Sequence, residues 1–237
     1  MAASSSPPSF VPALIVVDFQ EDFCPPSGSL AIPHGRDIAP VVNELLALPS
    51  FAVRIATQDW HPADHISFAA NHHTEPPKQP FEDTATIVNP QNASETYETR
   101  LWPVHCVQDT PGAELVPELA ADRVDVVVKK GTDARVEMYS AFYDPFESPR
   151  VCDSGLTRQL KDRGVTHVYV VGLAFDYCVS ATAADAAKEG FATYVVEEGT
   201  RAVDGAGWEK CKENLASEGV KVVSMNREEV QRLKAAV

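Results

Sequence analysis

The sequence predicts an α/β protein: a three-layer α/β/α arrangement around a mostly parallel six-stranded sheet. Three observations carry this expectation. Six short apolar runs recur along the 237 residues. Helix-periodic stretches separate most of them, the alternation that builds βαβ units. The runs are continuous rather than alternating, as in Leu14-Ile15-Val16-Val17, which fits strands buried on both faces.

Residues 1–12 are rich in Ala, Ser and Pro and lack a basic segment or a long apolar run. They read as a disordered tail rather than a signal peptide. The first strand is Ala13–Val17, followed by a helix over Ile38–Leu48 and a second strand, Ala52–Thr57. Residues 71–100 are polar and Pro-rich and read as a long loop, which in a compact domain usually has a function or is an insertion. A helix over Gly112–Leu119 leads to the third strand, Val124–Val128, and a shorter irregular stretch covers 142–153. The pattern then repeats: helix 155–163, strand 167–171, helix 177–188, strand 192–196, helix 208–218, strand 220–223 and a closing helix, 226–236. With no internal repeat and no linker, residues 13–237 read as one domain.

Composition narrows the function. The 34 acidic residues against 20 Lys plus Arg give a formal charge of −14, which argues against nucleic acid or an anionic membrane as partner. No stretch is long and apolar enough to span a bilayer. The five cysteines are odd in number and form no Cys-x-x-Cys pair, so a reducing, cytoplasmic setting is expected, with nucleus or peroxisome as alternatives.

Chemistry-bearing residues fall at the ends of the apolar runs. Cys178 follows the Val165–Val171 run at the start of a helical stretch, where ligands bind in open α/β sheets and the helix dipole favours thiolate. It is either a nucleophile or a small buried core residue. Asp18 ends the first run and is either a general base for that thiol or a turn cap. Lys130, just before Gly131, can stabilise negative charge at the same rim. Asp59 and His61, in Asp-x-His spacing after the second run, offer oxygen and nitrogen donors that suit Zn, Fe or Mn. His65 is a further ligand or an outer partner, and His72 and His73 lie close by in sequence. His105 joins the set only if its loop folds back.

Taken together, Val17-Asp18-Phe19-Gln20-Glu21-Asp22-Phe23-Cys24, Asp59-Trp60-His61-Pro62-Ala63-Asp64-His65, Trp102-Pro103-Val104-His105-Cys106, Lys130-Gly131 and Gly172-Leu173-Ala174-Phe175-Asp176-Tyr177-Cys178-Val179 resemble the nicotinamidases. These are isochorismatase-like cysteine hydrolases, and the long loop resembles the fungal, eukaryotic type. The resemblance implies hydrolysis of nicotinamide to nicotinic acid and ammonia in NAD salvage. It implies Cys178 as nucleophile, Asp18 as base and Lys130 as stabilising cation. It further implies Asp59, His61 and His105 as ligands of one divalent metal, zinc first, with Fe or Mn as alternatives. A cis Leu173–Ala174 peptide is expected, with the N–H groups of Ala174 and Cys178 forming an oxyanion hole. Phe23, Trp102 and Tyr139 align with aromatics that enclose the pyridine ring. The alternatives are a related cysteine amidohydrolase acting on N-carbamoyl or ureido amides, or a non-catalytic binding module on the same fold. Assembly into a homo-oligomer is left open.

Overall fold

The computed structural model describes residues 10–235. Six strands, β1 (Pro12–Val17), β2 (Val53–Asp59), β5 (Val126–Lys130), β6 (His167–Leu173), β7 (Ala192–Arg201) and β8 (Lys221–Val223), form one sheet in the order β5-β2-β1-β6-β7-β8. All five pairings are parallel. Strand order therefore reverses at β1, which pairs with β2 on one side and β6 on the other. Crevices at such a reversal, outside the carboxyl ends of the strands, are where open α/β sheets bind ligands.

The alternation of β1 shows why its run is continuously apolar. Leu14 and Val16 pack with Val42, Leu45 and Leu46 of α1 (Ala39–Leu46) and with Val230 and Leu233 of α5 (Glu228–Ala235). Ala13, Ile15 and Val17 face the other way, toward α2 (Leu156–Asp162), α3 (Ser180–Lys188) and α4 (Trp208–Ser217). Each face thus has its own core, and burying one such Leu or Ile contributes about 1.5–3 kcal/mol. Among the described residues, no helix is long and apolar enough to cross a membrane.

Three expectations need correction. Of the expected tail, residues 1–9 lie outside the described residues, but residues 10–12 belong to the fold. Pro12 opens β1, the Val11 N–H bonds to Thr166 Oγ1 at 3.0 Å, and Phe10 packs edge-on against His167. The helix expected at 112–119 is only a short 3₁₀ turn, Pro111–Ala113. Pro117 has no N–H to continue it, and the backbone groups go elsewhere: the Val116 N–H to the Phe19 carbonyl and the Glu114 carbonyl to the Glu21 N–H.

The long stretch 71–100 is no structureless loop. It carries an antiparallel hairpin, β3 (Thr84–Asn89) and β4 (Asn92–Arg100), joined through Pro90 and Gln91. Its inward residues alternate, with Ile87, Asn89 and Thr99 buried. Ile87 packs with Val136 and Phe146, and Tyr97 lies against them, so the hairpin rests on the second irregular stretch. That stretch is held by Asp144, whose carboxylate accepts the N–H groups of Phe146, Val151 and Cys152.

Candidate active site

Four strand ends deliver the charged groups. Asp18 follows β1, Asp59 closes β2, Lys130 closes β5, and Cys178 lies in a π-helical turn (Phe175–Val179) between β6 and α3. The period-2 pleat turns Lys130 inward, 1% exposed, while Lys129 lies outward over the Trp60 ring at 3.3 Å. Two glycines make this geometry possible. At Gly131, with φ of +63°, a Cβ would sit 2.4 Å from the His61 ring, and at Gly172, with φ of +113°, it would meet the Val17 carbonyl at 2.0 Å.

Lys130 Nζ is the hub. It donates to Asp59 Oδ1 at 2.6 Å, to the Met138 carbonyl at 3.2 Å and to Cys178 Sγ at 3.4 Å. It also pairs with Asp18 Oδ2 at 2.9 Å, without an aligned hydrogen bond. Burial alone would discharge the ammonium, but Asp18 and Asp59 outweigh it and hold the Lys130 pKa well above its ordinary value. Burial pushes Asp18 up to about 6, opposed by Lys130 and aided by Asp59. For Asp59, burial acts upward, yet Lys130 and His61 prevail and keep the carboxylate below its usual range. Cys178 departs from the thiolate expectation. Burial raises its pKa well above the ordinary value, and the nearby carboxylates of Asp18 and Asp59 add to this against Lys130. Burial thus favours the neutral thiol at Cys178, and the Asp18 carboxylate lies within 4.8 Å of it.

A second group adjoins the first through the other oxygen of Asp59. His61 Nε2 stands 3.5 Å and His105 Nε2 4.0 Å from Asp59 Oδ2. Each ring bonds a backbone carbonyl through Nδ1, His61 to Gly131 at 2.9 Å and His105 to Pro103 at 2.8 Å. A carbonyl only accepts, so each Nδ1 carries the proton and each Nε2 can present a lone pair. His61 Nε2 is buried without a hydrogen-bond partner. One carboxylate oxygen and two imidazole nitrogens within 4.8 Å of one another form a donor set that fits Zn, Fe or Mn.

His65 is committed elsewhere. Its Nε2 bonds the Val136 carbonyl and its Nδ1 the Ser67 hydroxyl, and its ring lies against His61 at 4.1 Å. Burial and the neighbouring His61 hold it down to about 3, as they hold His105 down to about 4. His72 bonds the Ile66 carbonyl, and His73 is exposed.

An aromatic wall adjoins these groups, with Phe23 against His105 and Tyr139 in the field of Cys178. Tyr139 OH accepts Trp102 Nε1–H at 2.9 Å and shares a hydrogen bond of 2.9 Å with Thr99 of β4. Tyr177 packs edge-on against Trp102 at 4.7 Å and lies 5.4 Å from Tyr139, while Phe23 leans on His105. The Leu173–Ala174 peptide is cis, and the Ala174 carbonyl accepts the N–H groups of Tyr177 and Val179. Sequence reasoning missed Thr57, Thr99, Glu137 and Tyr177. Tyr177 had a signal, being an aromatic beside the cysteine. Glu137, a buried carboxylate that feels the field of His61 and Asp59, had none.

The chain as a whole resembles known proteins. The sequence fits the isochorismatase domain over residues 12–227, and the chain belongs to that family. Within it, the chain is 41% identical over 216 residues to a nicotinamidase of Acinetobacter baylyi, covering 90% of this chain and 93% of that protein. The structure of the yeast nicotinamidase bound to the inhibitor nicotinaldehyde superposes with a TM-score of 0.83 at 36% identity, covering 90% of this chain and 100% of that one. A Pyrococcus horikoshii pyrazinamidase in complex with zinc superposes with a TM-score of 0.66 at 35% identity, covering 90% and 98%.

Proposed function

We propose that this chain hydrolyses nicotinamide to nicotinic acid and ammonia through a cysteine thioester, as a step of NAD salvage. The observation that carries the reading is the meeting of two chemical groups on one carboxylate: Asp59 bonds Lys130 through Oδ1 and faces His61 and His105 through Oδ2. A nucleophile set and a metal-type donor set thus share one buried rim. The similarity to nicotinamidases supports the substrate.

In this reading Asp18 takes the proton of the Cys178 thiol as sulfur attacks the amide carbon. The N–H groups of Ala174 and Cys178 receive the developing oxyanion. The C–N bond breaks as Asp18 passes its proton to the leaving nitrogen, so ammonia departs and a nicotinoyl thioester remains. Asp18 then deprotonates a water, which splits the thioester to nicotinic acid and restores the thiol. Lys130 stabilises the anionic groups throughout. Asp59, His61 and His105 would hold one divalent ion, zinc first, whose chemistry there is to bind and orient the pyridine nitrogen. Phe23, Trp102 and Tyr139, joined by Tyr177, enclose the ring. The cysteines, all free, suit a cytoplasmic setting.

The test is a panel of amides offered to metal-loaded protein, with acid products separated by chromatography. Conversion of nicotinamide supports the reading. Hydrolysis of N-carbamoyl or ureido amides with nicotinamide untouched would replace it.

A further inference from the structure

The buried Asp18 carboxylate has two oxygens in different surroundings, and Thr57 makes the difference. Thr57 Oγ1 accepts the Asp18 N–H at 3.0 Å and donates to Asp18 Oδ1 at 2.5 Å. A hydroxyl has a single hydrogen. The backbone N–H is the donor in the first bond, so the Thr57 hydrogen is committed to Oδ1. The clamp closes on a residue in the left-handed region, with φ of +45° at Asp18.

Oδ2 faces the Lys130 ammonium instead. Lys130 has three N–H bonds, and aligned partners for all three are present in Asp59 Oδ1, the Met138 carbonyl and Cys178 Sγ. Asp18 Oδ2 is paired with the same ammonium at 2.9 Å, off its aligned directions, and takes no hydrogen from Thr57. The thiol of Cys178, within 4.8 Å of the same carboxylate, has a hydrogen and needs an acceptor.

We infer that Thr57 is a positioning residue that fixes the Asp18 carboxylate so that Oδ2, and not Oδ1, receives the thiol proton. The inference rests on the assignment of Asp18 as base. Removing the hydroxyl frees the carboxylate to rotate and lets both oxygens compete for Lys130. Misplacing a reacting group by about 1 Å costs on the order of 10²-fold in rate. The loss falls on kcat, because the hydroxyl of Thr57 bonds Asp18 at both its donor and its acceptor side.

The test compares Thr57→Val, Thr57→Ser and Asp18→Ala with wild type for kcat and KM on nicotinamide, for alkylation of Cys178 by iodoacetamide and for metal content. Val keeps the branched shape of a buried strand residue, and Ser keeps the hydroxyl. Thr57→Val is expected to lower kcat and the alkylation rate by about 10- to 100-fold. KM and metal content should stay near wild type, and Thr57→Ser should recover most of the loss. Wild-type kcat in Thr57→Val, or a Ser variant as impaired as Val, would overturn the inference while the proposed function stands. Full turnover in Asp18→Ala, or none in wild type, would overturn the underlying reading. Metal loss in Thr57→Val with kcat restored by added metal would show that Thr57 serves Asp59 instead, and that too overturns the inference.

Discussion

The site has a floor and a roof built on different principles. The floor is ionic: Asp18, Lys130, Asp59 and Cys178 stand at the ends of β1, β5, β2 and β6, and the three charged groups are at most 4% exposed. Two buried carboxylates share a single ammonium there, so the arrangement is sensitive to the loss of any member. The roof is aromatic: Trp102, Tyr139 and Tyr177 come from loops and a helix start, and the hydroxyl of Thr99 ties them to an inserted hairpin. The difference teaches a division of labour. In the proposed reading the sheet holds the chemistry at its rim, and the connections hold the aromatics that enclose the substrate ring.

If the division holds, floor variants lose kcat and roof variants gain KM. The largest effect is expected for Cys178→Ala: turnover falls by roughly 10⁴-fold or more while nicotinamide still binds, measured by ammonia release and equilibrium dialysis. Lys130→Met comes next, because it strands two buried carboxylates. A stability loss of about 3–5 kcal/mol is expected in urea unfolding, together with loss of turnover. His61→Ala should remove most of the bound metal by elemental analysis and raise KM by about 10- to 100-fold; unchanged metal content would break the ligand assignment. Acid should then silence the floor before it unfolds the protein. Asp18 acts only when ionised and is raised to about 6, so kcat/KM should be steady above that pH and fall tenfold per unit below it. A profile flat to pH 5 would remove Asp18 from the role of base. The smallest effect belongs to the roof's tether: Thr99→Val removes one hydrogen bond worth about 1 kcal/mol, so KM should rise about fivefold with kcat unchanged.

The two regions were also unequally legible in the sequence. The floor lies where apolar runs stop, and Val17-Asp18, Lys130-Gly131 and Gly172 through Cys178 mark strand ends by residue type alone. The sheet and its two covered faces followed from the same runs. The roof did not. The hairpin hides in a polar stretch because only one face of it is buried, so Thr84–Asn89 and Asn92–Arg100 alternate instead of forming an apolar run. Its signal was the period-2 pattern of Ala85, Ile87 and Asn89 against Glu95, Tyr97 and Thr99. The bonds of Thr57 to Asp18, 39 residues away, and of Thr99 to Tyr139, 40 residues away, depend on tertiary geometry that spacing does not encode. The helix expected at 112–119 failed for a related reason, since Gln20 and Gln58 both bond the Ala113 carbonyl and draw that segment onto the sheet.

The most direct test of the central claim is ammonia release from nicotinamide by the metal-loaded wild type, run beside Cys178→Ala and a chelated sample. The account predicts release from the wild type alone, with activity returning when metal is restored to the chelated protein. Sustained release by Cys178→Ala would contradict the thioester route, and no release by the metal-loaded wild type would contradict the substrate.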